Sequence, residues 1–185
     1  MGANVKFIKN SAFYNCVKLQ EAQLHSYVLE IGDGAFCMCK ALKNINLPNS
    51  IVNIKSYAFA ASGLKTIILP NELKSIELMV FAQCYYLNEV ILPDTLTTIG
   101  AEAFAYCHSL SNITIPQSVT EIGNAAFMHC RNLKDIYIRG NIEKIGKKVF
   151  ECCPKATIYI QGSTQSHWTK NLGKNCNVSR VIMIA

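Results

Sequence analysis

Apolar residues return along this chain at fixed offsets, and the offsets add up to a repeat of about 23 residues. Phenylalanine stands at 13, 36, 59, 81, 104, 127 and 150, at intervals of 23, 23, 22, 23, 23 and 23. Two apolar residues spaced three apart precede each Phe, as in Val5/Ile8, Ile51/Ile54, Leu96/Ile99 and Ile142/Ile145. A small or β-branched residue stands directly before Phe, and Cys follows three positions after it at 16, 39, 84, 107, 130 and 153. Then come a Leu (19, 42, 64, 87, 110, 133) and an alternating pair such as Ile45/Leu47, Val90/Leu92 or Ile113/Ile115. Pro48, Pro70, Pro93 and Pro116 close four of the units. A fixed period of this length is the signature of stacked supersecondary units, each too small to bury its own apolar face.

The closing segment has period two. In Asn112-Ile113-Thr114-Ile115 the isoleucines share one face and the polar residues the other, the pattern of a half-buried strand. Seven such segments predict a parallel sheet along one side of a solenoid, each strand kept short by the Pro after it, which offers no N–H. The Ile-Gly-x-x-Ala-Phe segment is expected to carry the chain back. Gly32, Gly100, Gly123 and Gly146 are expected to serve turns with unusual backbone angles. Columns of Phe, Leu and Ile then form a continuous core.

Two irregularities can be placed. The 22-residue interval lies in Ala60-Ala61-Ser62-Gly63, a turn one residue shorter that lacks the Cys. The seventh unit is also short, and Ala156 stands at its Leu position. Seven repeats thus fill residues 1–160. Residues 161–185 leave the pattern and read as a C-terminal cap. Gly162-Ser163-Thr164 offers a helix start, Trp168 and Leu172 share one helical face, Gly173 stops it, and Val178, Ile182 and Ile184 suggest a final extended segment. Trp168 is the expected plug of the last rung. At the other end Val5 and Ile8 are already in phase, the pattern of an array cut from a longer one or of an uncapped first unit.

Composition narrows the chemistry. Of 185 residues 50% are hydrophobic, enough for a long core, yet no run of about 18 apolar residues encodes a membrane-spanning helix. No basic segment followed by an apolar stretch reads as a signal peptide. Six of nine cysteines fall on the 23-residue ladder and face the core as small hydrophobes; a bridge between neighbouring rungs stays open as an alternative. Cys107-His108 and His129-Cys130 do not make a zinc site, because the two histidines sit at different phases and no C-x-x-C pair accompanies them. No phosphate-binding loop, nucleophile elbow or metalloprotease signature is present. Glu89 and Asp135 lie two rungs apart, about 10 Å, with no cleft implied between them. The expectation is a protein that is not an enzyme, with no cofactor, no metal and no nucleic-acid partner. The charge is uneven: residues 1–120 hold eight Lys and eight acids, residues 121–185 ten Lys or Arg and four acids, so the net +6 belongs to the C-terminal end. Lys144, Lys147 and Lys148 form a basic patch there, a candidate for an anionic partner.

The unit from Leu92 to Ile115, Leu-Pro-Asp-Thr-Leu-Thr-Thr-Ile-Gly-Ala-Glu-Ala-Phe-Ala-Tyr-Cys-His-Ser-Leu-Ser-Asn-Ile-Thr-Ile, resembles the BspA-like leucine-rich repeat over about the first 160 residues. The ending after Ile160 is similar to that family's C-terminal cap. The resemblance implies a leucine-rich-repeat solenoid, curved and right-handed, with its parallel sheet on the concave face and little helix. It also implies a cell-surface or secreted protein that attaches to host matrix proteins or other cells. It transfers no functional residue, because the family has no fixed binding motif.

Aligning the outward strand positions gives one column of Glu21, Asn44, Thr66, Glu89, Asn112 and Asp135, and a second of Gln23, Asn46, Ile68, Ile91, Thr114, Tyr137 and Tyr159. Ile68, Ile91, Tyr137 and Tyr159 need not be apolar to build the core. An exposed row of this kind is what a recognition surface uses; the alternative is cross-strand packing of good strand formers. Arg139, at the Pro position, adds a polar anchor. The candidate protein-binding face is therefore Ile68, Glu89, Ile91, Asp135, Tyr137, Arg139 and Tyr159. Two other readings remain: sulfated-glycan binding through the basic end, and a structural spacer within a longer protein.

Overall fold

The computed structural model describes residues 5–161, 178 and 180–184. Each repeat is one turn of a solenoid, and every strand pairing among the described residues is parallel. Among the described residues thirteen strands, numbered in chain order, form four hydrogen-bonded sheets that line up along two sides of the solenoid. The first is built from two-residue strands ending in the Ile that precedes the Gly position: β1 (Phe7–Ile8), β2 (Glu30–Ile31), β3 (Asn53–Ile54), β5 (Ser75–Ile76), β7 (Thr98–Ile99), β9 (Glu121–Ile122) and β11 (Lys144–Ile145). The second holds the closing strands of the repeats, β4 (Thr66–Ile68), β6 (Glu89–Ile91), β8 (Asn112–Ile115), β10 (Asp135–Ile138) and β12 (Thr157–Gln161), followed by β13 (Arg180–Ile184) from the segment beyond them. No helix occurs among the described residues.

The first two closing segments depart from expectation. They contribute one isolated bridge, Gln23 to Asn46, in place of paired strands. Glu21-Ala22-Gln23 and Asn44-Ile45-Asn46 are poor in strand formers, whereas the later strands carry Ile, Thr or Tyr outward as well as Ile inward. Strand length follows, rising from three residues in β4 to five in β12.

The core is a stack of columns. Phe36, Phe59, Phe81, Phe104, Phe127 and Phe150 are fully buried, and their rings lie nearly parallel to one another. Along the whole column from Phe13 to Phe150, neighbouring centroids are 5.1–5.6 Å apart. Neighbouring strands are spaced by about 4.7–4.9 Å. Equivalent points thus advance further per rung on the Phe side than on the strand side, so the strand face is the inner, concave arc.

Around each Phe the chain makes a further ladder. The N–H groups two before, at, and two after Phe donate to the next rung, as in Ser11 to Asp33 O, Phe13 to Ala35 O and Asn15 to Cys37 O, each 2.8 Å. The residues two before and two after every Phe have φ of 53–63°, and only Gly34 among them is glycine. Met38, Tyr57, Met79 and Tyr106 occupy this left-handed region at a cost of about 1–2 kcal/mol each, offset by the inter-rung bonds the conformation permits. The glycines expected to fill such positions do something else. Gly100 and Gly123 have no left-handed backbone; a Cβ there would lie 2.6 Å from Ile76 O and 2.5 Å from Ala101 N. Glycine is needed there for close rung-to-rung approach. The short turn has the same cause: a Cβ on Gly63 would meet the Lys40 carbonyl.

The expected helical cap, with Trp168, Leu172 and Gly173, lies outside the described residues. The final extended segment is β13, paired to β12 with Val181 opposite Ile158 and Ile182 opposite Tyr159. Val181 and Met183 are in register with the core columns but remain exposed, while Arg180, Ile182 and Ile184 are in register with the concave-face rows.

Candidate binding surface

Side chains on the concave face are aimed outward by strand alternation and aligned by register. Asn112, Asp135, Thr157 and Arg180 form one row, and Thr114, Tyr137, Tyr159 and Ile182 the next. β4 and β6 supply Thr66 beside Glu89 and Ile68 beside Ile91. β6 and β8 remain neighbours, but the hydrogen-bonded ladder is interrupted between them. Ile68 is 64% exposed and Ile91 48%, so neither is recruited into the core. Tyr137 and Tyr159 stack with centroids 4.8 Å apart and planes 13° from parallel. Desolvation first, then the charge and hydrogen bond of the Asp135 carboxylate, hold the Tyr159 phenol above its usual range, with Arg180 acting in the opposite sense.

The structure thus draws Ile68 and Ile91 into one pair, and Tyr137, Tyr159 and Asp135 into another group on the same face. Arg139 follows β10 on the same alternation as Tyr137, and lines an open hollow of about 520 Å³ with Asp94, Gln117 and Ser118. Ile182 and Arg180 extend the two rows and escaped the sequence reading. Their only signal was the alternation in the last residues, which could not reveal the register against Tyr159.

The N-terminal end of the face has a different character. Gln20, Glu21, Gln23, Lys43, Asn44 and Asn46 surround a shallow depression of about 660 Å³ over Ala22 and Ile45. Asparagines elsewhere link rungs: Asn10 Oδ1 accepts from Asp33 N–H, Asn49 Oδ1 from Asn71 N–H, and Asn124 Oδ1 from Lys147 N–H.

The basic patch lies off the concave face. Lys144 sits on β11 and faces Glu121 at 3.7 Å, and Lys148 pairs with Glu151 at 3.2 Å. Lys147 is exposed. Two of the three charges are thus partly neutralised locally, and the structure does not bring this patch together with the tyrosines.

The buried thiols have a structural task. Cys39, Cys84, Cys107, Cys130 and Cys153 each donate S–H to the carbonyl of the Phe one rung back, at 3.1–3.2 Å. That carbonyl also accepts the N–H of its own rung's Cys, as Phe81 does from Cys84 at 3.2 Å. In the rung without Cys, Ser62 takes the position and meets Cys84 Sγ at 3.3 Å. Desolvation pushes Cys39 and Cys84 up to about 11 and Cys107 well above the usual thiol range. All described cysteines are free, so the inter-rung bridge left open by the sequence is not formed among them. His108 packs on Tyr85 at 5.1 Å, and His129 stacks on Tyr106 at 4.6 Å. These imidazoles belong to an aromatic ladder at the turns. Among the described residues no cluster of three or more His, Cys, Asp or Glu is placed to hold a metal ion, and no helix is long and apolar enough to cross a membrane.

The fold has relatives among solved structures. A leucine-rich repeat protein of T. pallidum is 25% identical, matches 94% of this chain and 80% of its own, and gives a TM-score of 0.58. A leucine-rich cell surface protein of Faecalibacterium prausnitzii is 21% identical over 96% of this chain and 63% of its own, with a TM-score of 0.54. A leucine-rich repeat protein of Bacteroides ovatus is 22% identical, with 100% of this chain on 60% of its own and a TM-score of 0.47. This chain therefore spans about three fifths of the length of the latter two. None of the curated proteins matches the sequence. No enzyme family is indicated. The profile of the BspA type leucine-rich repeat region matches in six copies, over residues 6–108 and 53–180. With that profile spread over nearly its whole length, the chain belongs to the BspA-type leucine-rich repeat family.

Proposed function

We propose that this chain is a noncatalytic binding module of a cell-surface or secreted protein, and that its concave face recognises a protein partner. The observation that carries the reading is the apolar and aromatic row Ile68, Ile91, Tyr137, Tyr159 and Ile182, held outward on a sheet whose core is already filled from the other side. Asp135, Glu89 and Arg139 frame it with charge. Exposed tyrosines on a rigid sheet bury large area at low entropic cost, which is how a few anchors come to dominate an interface. A surface location is supported by the Faecalibacterium relative, which is described as a cell surface protein.

The test is binding of the chain to host matrix proteins and to sulfated glycans, at low and at physiological salt, beside the Tyr137→Ala/Tyr159→Ala variant. A concave-face site predicts salt-tolerant binding to a protein that weakens roughly 30-fold or more in the variant. Binding that survives the variant but vanishes with salt would place the site at Lys144, Lys147 and Lys148 instead. No binding to any of them would favour a spacer.

A further inference from the structure

The row of outward side chains has one gap. Thr114 stands between Ile91 and Tyr137, and it is the only short side chain in the row from Ile68 to Ile182. One face of the Tyr137 ring is covered by Tyr159, one rung away at 4.8 Å. The other looks over Thr114. Two rung steps separate Tyr137 from Ile91, the first of them the hydrogen-bonded step from β10 to β8, about 4.8 Å. A flat group placed over Thr114 would sit one step from each wall and continue the ring stack at the solenoid's own period. This slot falls where the strand ladder is interrupted, between β6 and β8.

Its rim is rich in acceptors. In the adjoining row Glu89, Asn112 and Asp135 stand beside Ile91, Thr114 and Tyr137 respectively. Glu89 is exposed, and its carboxylate makes no hydrogen bond or ion pair within the described protein. Asn112 Nδ2 donates to Ser111 Oγ at 3.1 Å, which leaves the amide oxygen to accept from outside. Asp135 lies near enough to the Tyr159 phenol to raise its pKa, and its carboxylate has lone pairs left to accept from outside. The charges nearby of opposite sign, Arg139 and Arg180, lie at the far end of Tyr137 and two rungs on from Asp135. A planar slot walled by an aromatic face and rimmed by two carboxylates and an amide oxygen suits one side chain above others. Arginine is flat, stacks on rings, and offers five donors and no acceptor.

We infer that the slot over Thr114 is a subsite for an arginine side chain of the protein partner, stacked on Tyr137 between Glu89 and Asp135. The inference rests on the concave-face reading and adds the chemistry of its central contact.

The experiment is an NMR titration of the chain with Nα-acetyl-arginine amide, Nα-acetyl-lysine amide and Nα-acetyl-citrulline amide. The arginine probe is expected to shift the Thr114 and Tyr137 signals in a saturating manner, with the lysine and citrulline probes roughly tenfold weaker. Thr114→Tyr fills the slot and abolishes the shift at Tyr137. Glu89→Gln, at an exposed position, weakens it without altering shape. Equal shifts from all three probes, or an arginine response that survives both variants, would overturn the inference. Its failure is separable from failure of the broader reading. Thr114→Tyr leaves the apolar row intact and even lengthens it. A protein partner that still binds Thr114→Tyr but not Tyr137→Ala/Tyr159→Ala would keep the concave-face reading and remove the slot.

Discussion

Replacing one ring of the phenylalanine column by Ala tests how the solenoid distributes its stability. Phe104 is fully buried, with Phe81 at 5.4 Å on one side and Phe127 at 5.3 Å on the other. Truncating a buried Phe costs about 3–5 kcal/mol through lost transfer energy and the cavity left behind. The two lost ring contacts, about 0.5–1.5 kcal/mol each, place Phe104→Ala at the upper end of that range. Phe13 has one ring neighbour, Phe36 at 5.1 Å, and is only half-buried. Its rung can also open without disturbing those beyond it, because each repeat touches only its neighbours. Phe13→Ala should therefore cost about 1–2 kcal/mol. The assay is equilibrium urea unfolding of the two single variants, reading midpoints and slopes. Equal losses at both sites would refute the reasoning, since they would mean that ring burial and neighbour number do not set the cost.

Two further predictions concern titratable groups. Desolvation raises the thiols of Cys39, Cys84 and Cys107, whereas Cys16 is exposed. A thiol reagent at neutral pH should label Cys16 at once and those three only as fast as the solenoid opens, which mass spectrometry of labelled peptides will read. Desolvation, then Arg131 and His129, lower the His108 pKa. The folded state therefore favours neutral imidazole: this contribution to stability is complete above the unfolded value of about 6.5 and falls away as pH drops through the lower folded value. Urea midpoints measured between about pH 7.5 and 5.5 should decline less in His108→Gln than in the parent chain; an identical slope in both would show that His108 does not carry the effect.

The repeat and its core columns were legible because each column holds one class of side chain. Phe, the pair before it, the Cys and the closing Ile each answer to a single packing volume, so the period shows at every phase. The turn conformation was not legible. Left-handed φ falls on Met38, Tyr57, Gln83 and Lys148 with one glycine among fourteen sites, so no residue type marks it. What fixes it is the ladder of N–H donors passed to the next rung, a tertiary demand that overrides local preference. The glycines misled for the same reason: Gly100 and Gly123 answer to a neighbouring backbone, not to their own φ. On the concave face the outward positions were legible from alternation alone, but Ile182 required the pairing of β13 with β12.

That leaves the question of whether an apolar concave row reflects recognition or only strand propensity. The chain carries its own comparison. Rungs one and two place Gln23 and Asn46 at the positions held later by Ile68, Ile91, Tyr137 and Tyr159, and they still stack: Ile45 and Leu42 are buried, and Phe13 and Phe36 lie ring on ring. A solenoid turn therefore closes without an apolar residue in that column. Thr114 makes the point again within a well-formed four-residue strand, since a β-branched polar residue satisfies the sheet there. Ile68 at 64% exposure and Ile91 at 48% leave apolar area in water that neither the core nor the ladder requires. Cross-strand packing accounts for the Tyr137–Tyr159 stack, but it does not account for isoleucines that a threonine could replace. Exposed apolar side chains occur elsewhere too, Tyr86 and Tyr27 among them, but on the concave face Ile68 and Ile91 stand in one column with the Tyr137–Tyr159 pair and beside the carboxylates of Glu89 and Asp135, and covering that column is what the proposed recognition would add.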